Sequence, residues 1–238
     1  MKIKLLTRIL FATFVLFSVS CSNKQNGDSE STKDSTAVKD SIVNATSKES
    51  AIPNAKKYEI KSGIVNYISE VFGVQSYQTL YFDDFGSVES NETVTIRKIM
   101  GTTVKTVSVS LTKNGYKYDY DIEVESNKDS DIKKEIKKSK YTALSSADMS
   151  HLDTTWTPEM KKQYQYKKEG TENIAGVNGS KFSMTAGKSK ITVVTYKKVM
   201  LKSIMDKVTV TAQKFEENAK IPAQLFELPA GYTVVEVK

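Results

Sequence analysis

From Tyr58 onward, apolar positions recur with a period of two. That is the spacing of a strand whose side chains point to opposite faces in turn. The clearest run sets Tyr116, Tyr118, Tyr120, Ile122 and Val124 against Lys117, Asp119, Asp121, Glu123 and Glu125. Just before it, Val107, Val109 and Leu111 alternate with Ser108, Ser110 and Thr112. Asn114-Gly115 lies between the two runs and suits the positive φ angles of a tight hairpin turn. Similar patterns predict strands over 58–69, 75–82, 88–99, 132–142, 164–174, 181–185, 190–199, 207–215 and 232–237. Turn residues at Asp83-Asp84-Phe85-Gly86, Val177-Asn178-Gly179 and Ala186-Gly187 punctuate them. One helix is predicted over Thr157–Tyr164: Thr157 is a good N-cap, Pro158 suits the first helical position, and Glu159 complements the positive helix end. Residues 145–156 before it read as irregular. Many antiparallel strands and one helix predict a mainly β domain, a sandwich or barrel.

The amino end follows a different pattern. Lys2, Lys4 and Arg8 precede an apolar run over 9–17, then the small residues Ser18 and Ser20, then Cys21. A basic start, a short apolar middle and a small-residue exit is the layout of a secretory signal. The run is about half of the ~20 residues a spanning helix needs. Cys21 is the sole cysteine, so no intramolecular disulfide can form. Ser18-Val19-Ser20-Cys21 resembles the bacterial lipobox, with Ser18 where a branched apolar residue is usual. The resemblance implies a signal peptide over 1–20 and lipidation at Cys21, hence membrane attachment through the amino end. Residues 21–56 are rich in Ser, Lys, Asp, Asn and Thr and contain no aromatic residue, the composition of a disordered tether. Asp34-Ser35-Thr36 and Asp40-Ser41-Ile42 within it resemble short sequons that some Gram-negative bacteria O-glycosylate, though such motifs also arise from composition alone.

Residues 57–238 suffice for one substantial core, with no Pro-rich or Gly-rich break and no fixed-period repeat. Several short motifs stand out in order: Ile60-Lys61-Ser62-Gly63-Ile64, Thr79-Leu80-Tyr81-Phe82-Asp83-Asp84-Phe85-Gly86, Gly170-Thr171-Glu172-Asn173-Ile174-Ala175-Gly176, Lys181-Phe182, Ile221-Pro222 and Phe226-Glu227-Leu228-Pro229-Ala230-Gly231-Tyr232. This order resembles uncharacterised bacterial lipoproteins grouped with the Lol-type lipoprotein-sorting carrier and acceptor. The resemblance implies a strongly curved antiparallel sheet, an incomplete barrel of about eleven strands, with one or a few helices on its concave side. It also implies the envelope of a Gram-negative bacterium and the outer membrane.

An apolar face on a curved sheet must be filled by side chains, helices or a ligand. The first expectation is therefore a non-catalytic protein binding a lipid or other hydrophobic ligand. Val107, Val109, Leu111, Tyr118, Tyr120 and Ile122 are the candidate lining, because they form the clearest one-faced apolar set and tyrosine offers a polar tip in an apolar wall. The alternative is a structural or interaction lipoprotein with a filled core and no small ligand.

Catalytic and metal chemistry finds little footing. His151 is the sole histidine, so neither a histidine-based triad nor a His/Cys zinc site is supported. Gly187-Lys188-Ser189 imitates the end of a phosphate loop, but Phe182 stands where its first glycine belongs, and a hairpin turn is the expectation. Asp119 and Asp121 share the polar side of a strand beside Lys117, a solvated face rather than a glycosidase or calcium pair. No enzyme, cofactor or metal is expected. The formal charge of +7 includes three signal-peptide positives, leaving 7 − 3 = +4 after Ser20. Lysines cluster at Lys133, Lys134, Lys137, Lys138 and Lys140, and again at Lys161, Lys162, Lys167 and Lys168. Such patches can approach anionic headgroups, each lysine contributing about 1 kcal/mol. Nucleic acid is no partner for an exported lipoprotein, and the sequence identifies no protein partner.

Overall fold

The computed structural model describes residues 56–126, 132–141 and 157–237, which fall within one compact unit, Ala51–Lys238. Cys21, the tether, His151 and 145–156 lie outside the described residues. Twelve strands form one sheet: β1 (Gly63–Val71), β2 (Val74–Asp83), β3 (Val88–Ile99), β4 (Thr102–Lys113), β5 (Tyr116–Ser126), β6 (Glu135–Lys140), β7 (Lys167–Ile174), β8 (Val177–Ala186), β9 (Ser189–Tyr196), β10 (Val199–Met205), β11 (Val208–Glu217) and β12 (Thr233–Glu236). Their order is β12-β6-β5-β4-β3-β2-β1-β11-β10-β9-β8-β7. Neighbours run antiparallel except β12, which returns to pair in parallel with β6.

Local chemistry accounts for most of these elements. The β4–β5 hairpin turns on Asn114-Gly115, both at positive φ. The helix α1 (Pro158–Gln163) starts at Thr157, whose hydroxyl accepts from the Met160 N–H at 3.3 Å. A hydrogen bond from its own backbone N–H holds the Glu159 carboxyl below its ordinary pKa. The 190–199 strand divides. Lys197 and Lys198 take φ of 47° and 66°, closing a turn that ends β9 and starts β10, an unforeseen strand. Lysine carries no turn preference, so the break had no signature.

Apolar packing is divided between the two faces. Leu111 lies opposite Ser90 and Ser90 opposite Tyr81, whereas Phe82, one residue on, lies opposite Gly63. Phe82 and Leu111 therefore point to opposite faces. On the Phe82 face, Val65, Tyr67 and Ala212 join Tyr58 and Ile60 from the lead-in segment, and Ile174, Val194, Val199 and Leu201 from β7, β9 and β10. On the Leu111 face, Val109, Tyr120 and Ile136 pack under Phe226, Leu228 and Tyr232 of the C-terminal segment. A third cluster joins Phe182, Met184, Ile191 and Val193 to Tyr164 and Tyr166, which follow α1.

This arrangement corrects the expected half-barrel. The sheet has twelve strands, is open, and is not strongly curled. Among the described residues the only α-helix is α1, six residues long and with none buried, and no helix layer is found among them. A half-barrel gathers its apolar side chains on one concave face. Here they are split between faces, and the lead-in and C-terminal segments act as the covers.

Candidate functional site

The six residues expected to line a ligand site do not stay together. Leu111 is fully buried in one cluster with Val109 and Tyr120, and Val107 is buried outside that cluster. Tyr118 is half-buried in the same cluster. The C-terminal segment is fastened over this group by specific contacts. The Tyr232 hydroxyl donates to the Asp121 carbonyl at 2.9 Å, and its ring meets Tyr120 edge-on with centroids 5.9 Å apart. Lys113 donates to the Phe226 carbonyl at 2.9 Å, and β12 then joins the sheet along β6. Ile122 is elsewhere, 40% exposed. The β4–β5 register steps from Val107↔Glu123 to Ser108↔Asp121, so Ile122 is the extra residue of a bulge and leaves the apolar face.

An open apolar recess lies at the other end of the sheet. Pairing of β2 with β3 runs from Asp83↔Val88 to Ser76↔Thr95 and stops, although β2 begins at Val74 and β3 continues to Ile99. The β1–β2 and β3–β4 hairpins separate there. Between them is a hollow of about 440 Å³ lined by Gly73, Val74, Tyr77, Ile96, Arg97 and Lys98. Tyr77 and Ile96 are 49% and 50% exposed, high for such large apolar side chains. A cross-strand row, Ile68–Tyr77–Val94–Val107, leads from the recess toward the covered core on the same face. Among the described residues neither Arg97 nor Lys98 has an acidic partner, so both charges edge the recess. Nothing in the sequence pattern marks this place. Tyr77 and Ile96 alternate as core residues do, and only the parting of the hairpins exposes them.

The polar candidates are occupied locally. Asp119 pairs with Lys117 at 3.0 Å, and Asp121 accepts from the Ser108 hydroxyl at 2.6 Å. Asp83 accepts from the Asp84 N–H, and Asp84 from the Ser87 hydroxyl. Gly187 and Lys188 form a hairpin turn. Lys133 and Lys138 pair with Glu135 and Glu236. Glu89 is buried and receives Lys57 at 2.8 Å, while its Oε1 and the nearby Asn91 Oδ1 have no partner among the described residues. Beside it the Tyr67 hydroxyl donates to the Met200 carbonyl at 2.7 Å, and burial, reinforced by Glu89, drives its pKa well above the ordinary value. Hydrogen bonds from Lys202 and then Lys181 hold Glu172 below the usual carboxylate range, tying β7 to β8 and β10. Among the described residues, no group of three His, Cys, Asp or Glu side chains is placed to hold a metal ion.

No protein-family model matches the chain, and no curated protein sequence matches it. Among solved structures, an uncharacterized conserved protein from Thermus thermophilus is similar at 9% identity and a TM-score of 0.48, over 76% of this chain and 94% of that one. A chain of the Pseudomonas aeruginosa MucA/MucB complex is similar at 13% identity and a TM-score of 0.43, over 76% of this chain and 60% of that one. A DUF1329 family protein from Desulfovibrio piger is 13% identical with a TM-score of 0.25, over 71% of this chain and 90% of that one. These are loose likenesses, and the class of the protein, a mainly β domain built on one open sheet, rests on its own topology.

Proposed function

We propose that this chain is a non-catalytic lipoprotein of a Gram-negative envelope, anchored through Cys21, that binds a lipid or other hydrophobic molecule. The observation that carries the reading is the recess between the two parted hairpins. It has an apolar floor at Tyr77 and Ile96, with Gly73 and Val74 at its edge and cations at Arg97 and Lys98. An acyl chain would lie on the floor and continue along the Ile68–Tyr77–Val94–Val107 row, with an anionic headgroup toward the cations. Of the six residues chosen from sequence, Val107 joins this track, while Val109, Leu111, Tyr118 and Tyr120 serve the core beside it and Ile122 stands apart.

Native mass spectrometry of gently purified protein tests this. A co-purifying lipid is the expected species, lost on Ile96→Glu without a fall in melting temperature, since Ile96 is half exposed. A ligand-free wild-type protein would remove the cargo. The second reading, a structural or interaction lipoprotein with a filled core, is favoured by the C-terminal cover over Val109, Leu111 and Tyr120. It gains ground on that outcome.

A further inference from the structure

Two-residue turns with both residues at positive φ close several hairpins of the sheet. Such turns favour Asn, Asp and Gly, because a bulky side chain in the left-handed region meets its own backbone. Asn114 fits that preference, with φ of 54°. Two others defy it. Phe72 and Met100 stand at φ of 50° and 49°, each followed by a glycine at 81° or 82°. The two are the most exposed of the large apolar side chains among the described residues, 76% for Phe72 and 98% for Met100. A strained backbone that holds a large apolar group in water gains nothing from packing, so stability does not account for either residue.

The two turns lie at one end of the sheet. β2 and β3 are neighbours, and β2 starts where β3 ends. Val71 pairs with both Val74 and Val208, which brings the Asp206-Lys207 turn to the same end. Arg97, Lys98 and Lys207 are exposed there, against Glu70 and Asp206. We infer that Phe72 and Met100 are apolar anchors that dip into a lipid bilayer surface, with the cations meeting anionic headgroups. The occupant is a bilayer because, on the envelope reading above, Cys21 fixes the chain to one, only 56 − 21 = 35 residues before the described domain. Amphipathic tips of apolar and cationic side chains suit that interface. The inference rests on the envelope reading but not on an occupied recess, because neither anchor's side chain is needed for the Tyr77–Ile96 floor.

The test uses the full chain with Cys21→Ser, which carries no lipid and leaves labelling cysteines unique. An environment-sensitive dye is placed in turn at Phe72→Cys, Met100→Cys and Asn114→Cys, the last at the opposite end of the sheet. On adding vesicles of phosphatidylethanolamine and phosphatidylglycerol, emission at positions 72 and 100 should shift to the blue, and that at 114 should not. Equal response at all three positions, or none at 72 and 100, overturns the inference. The Phe72→Asn, Met100→Asn double variant supplies the second reading. It relieves the backbone, so its melting temperature should hold or rise, while vesicle binding weakens about tenfold or more. A lowered melting temperature, or undiminished binding, contradicts the assignment. Native mass spectrometry of the same variant reports the recess separately.

Discussion

A chain ending at Ile221 should lose about 5 kcal/mol of folding stability, a large part of what a domain of this size has. The cause is the uncovering of one of its cores. Phe226, Leu228 and Tyr232 are half-buried themselves, and they also keep water from Val109, Leu111, Tyr120 and Ile136. Truncation also removes the Tyr232 bond to the Asp121 carbonyl, the Phe226 carbonyl that Lys113 grips, and the β12 strand along β6. Urea denaturation followed by circular dichroism reads the loss. A midpoint close to that of the intact chain would mean that the segment is a passenger rather than the cover of this face.

Phe82→Ala should cost about 4 kcal/mol, the middle of the range for a core aromatic. Phe82 is fully buried, its ring centroid 4.4 Å from that of Tyr58, at the centre of the cluster on the other face. Its neighbour across the ladder explains a second effect. A β-carbon at Gly63 would fall 2.6 Å from the Phe82 ring and 3.1 Å from the Glu216 carbonyl oxygen. Gly63→Ala alone should therefore destabilise by about 2 kcal/mol through overpacking. In the double variant the ring is gone and the alanine occupies part of its space. The combined loss should fall short of the sum by about 1 kcal/mol or more, a coupling that equilibrium denaturation of the three variants resolves. Strict additivity would show that Gly63 is needed for the backbone rather than for the ring.

The strands were legible because alternation is a local property. Asn114-Gly115 announced its hairpin and Thr157-Pro158 its helix, since each places the residue that the backbone geometry asks for. Lys197-Lys198 takes the same turn conformation with residues that have no such preference, and β10 went unseen. Alternation also does not say which face of one strand joins which face of the next. Tyr81 and Phe82 are consecutive aromatic residues serving opposite faces, and only the register with β1 and β3 assigns them. Along the chain, the six-residue apolar set reads as one face. The bulge that ejects Ile122 depends on β4 pairing with β5 one residue out of step, which no pattern along β5 alone contains. The recess was hidden for a related reason: Tyr77 and Ile96 have the spacing of buried residues, and their exposure follows from two hairpins parting. Phe72-Gly73 and Met100-Gly101 did carry a signal, a bulky apolar residue before glycine between alternating runs.

Whether hydrophobic cargo enters between the hairpins is most directly read by a photoactivatable fatty acid bound to the purified protein, followed by peptide mass spectrometry of the adducts. Adducts are expected within residues 74–98, concentrated at Tyr77 and Ile96. Adducts confined to 109–122 would place the ligand beneath the C-terminal cover instead, and a protein that acquires none would contradict the binding role.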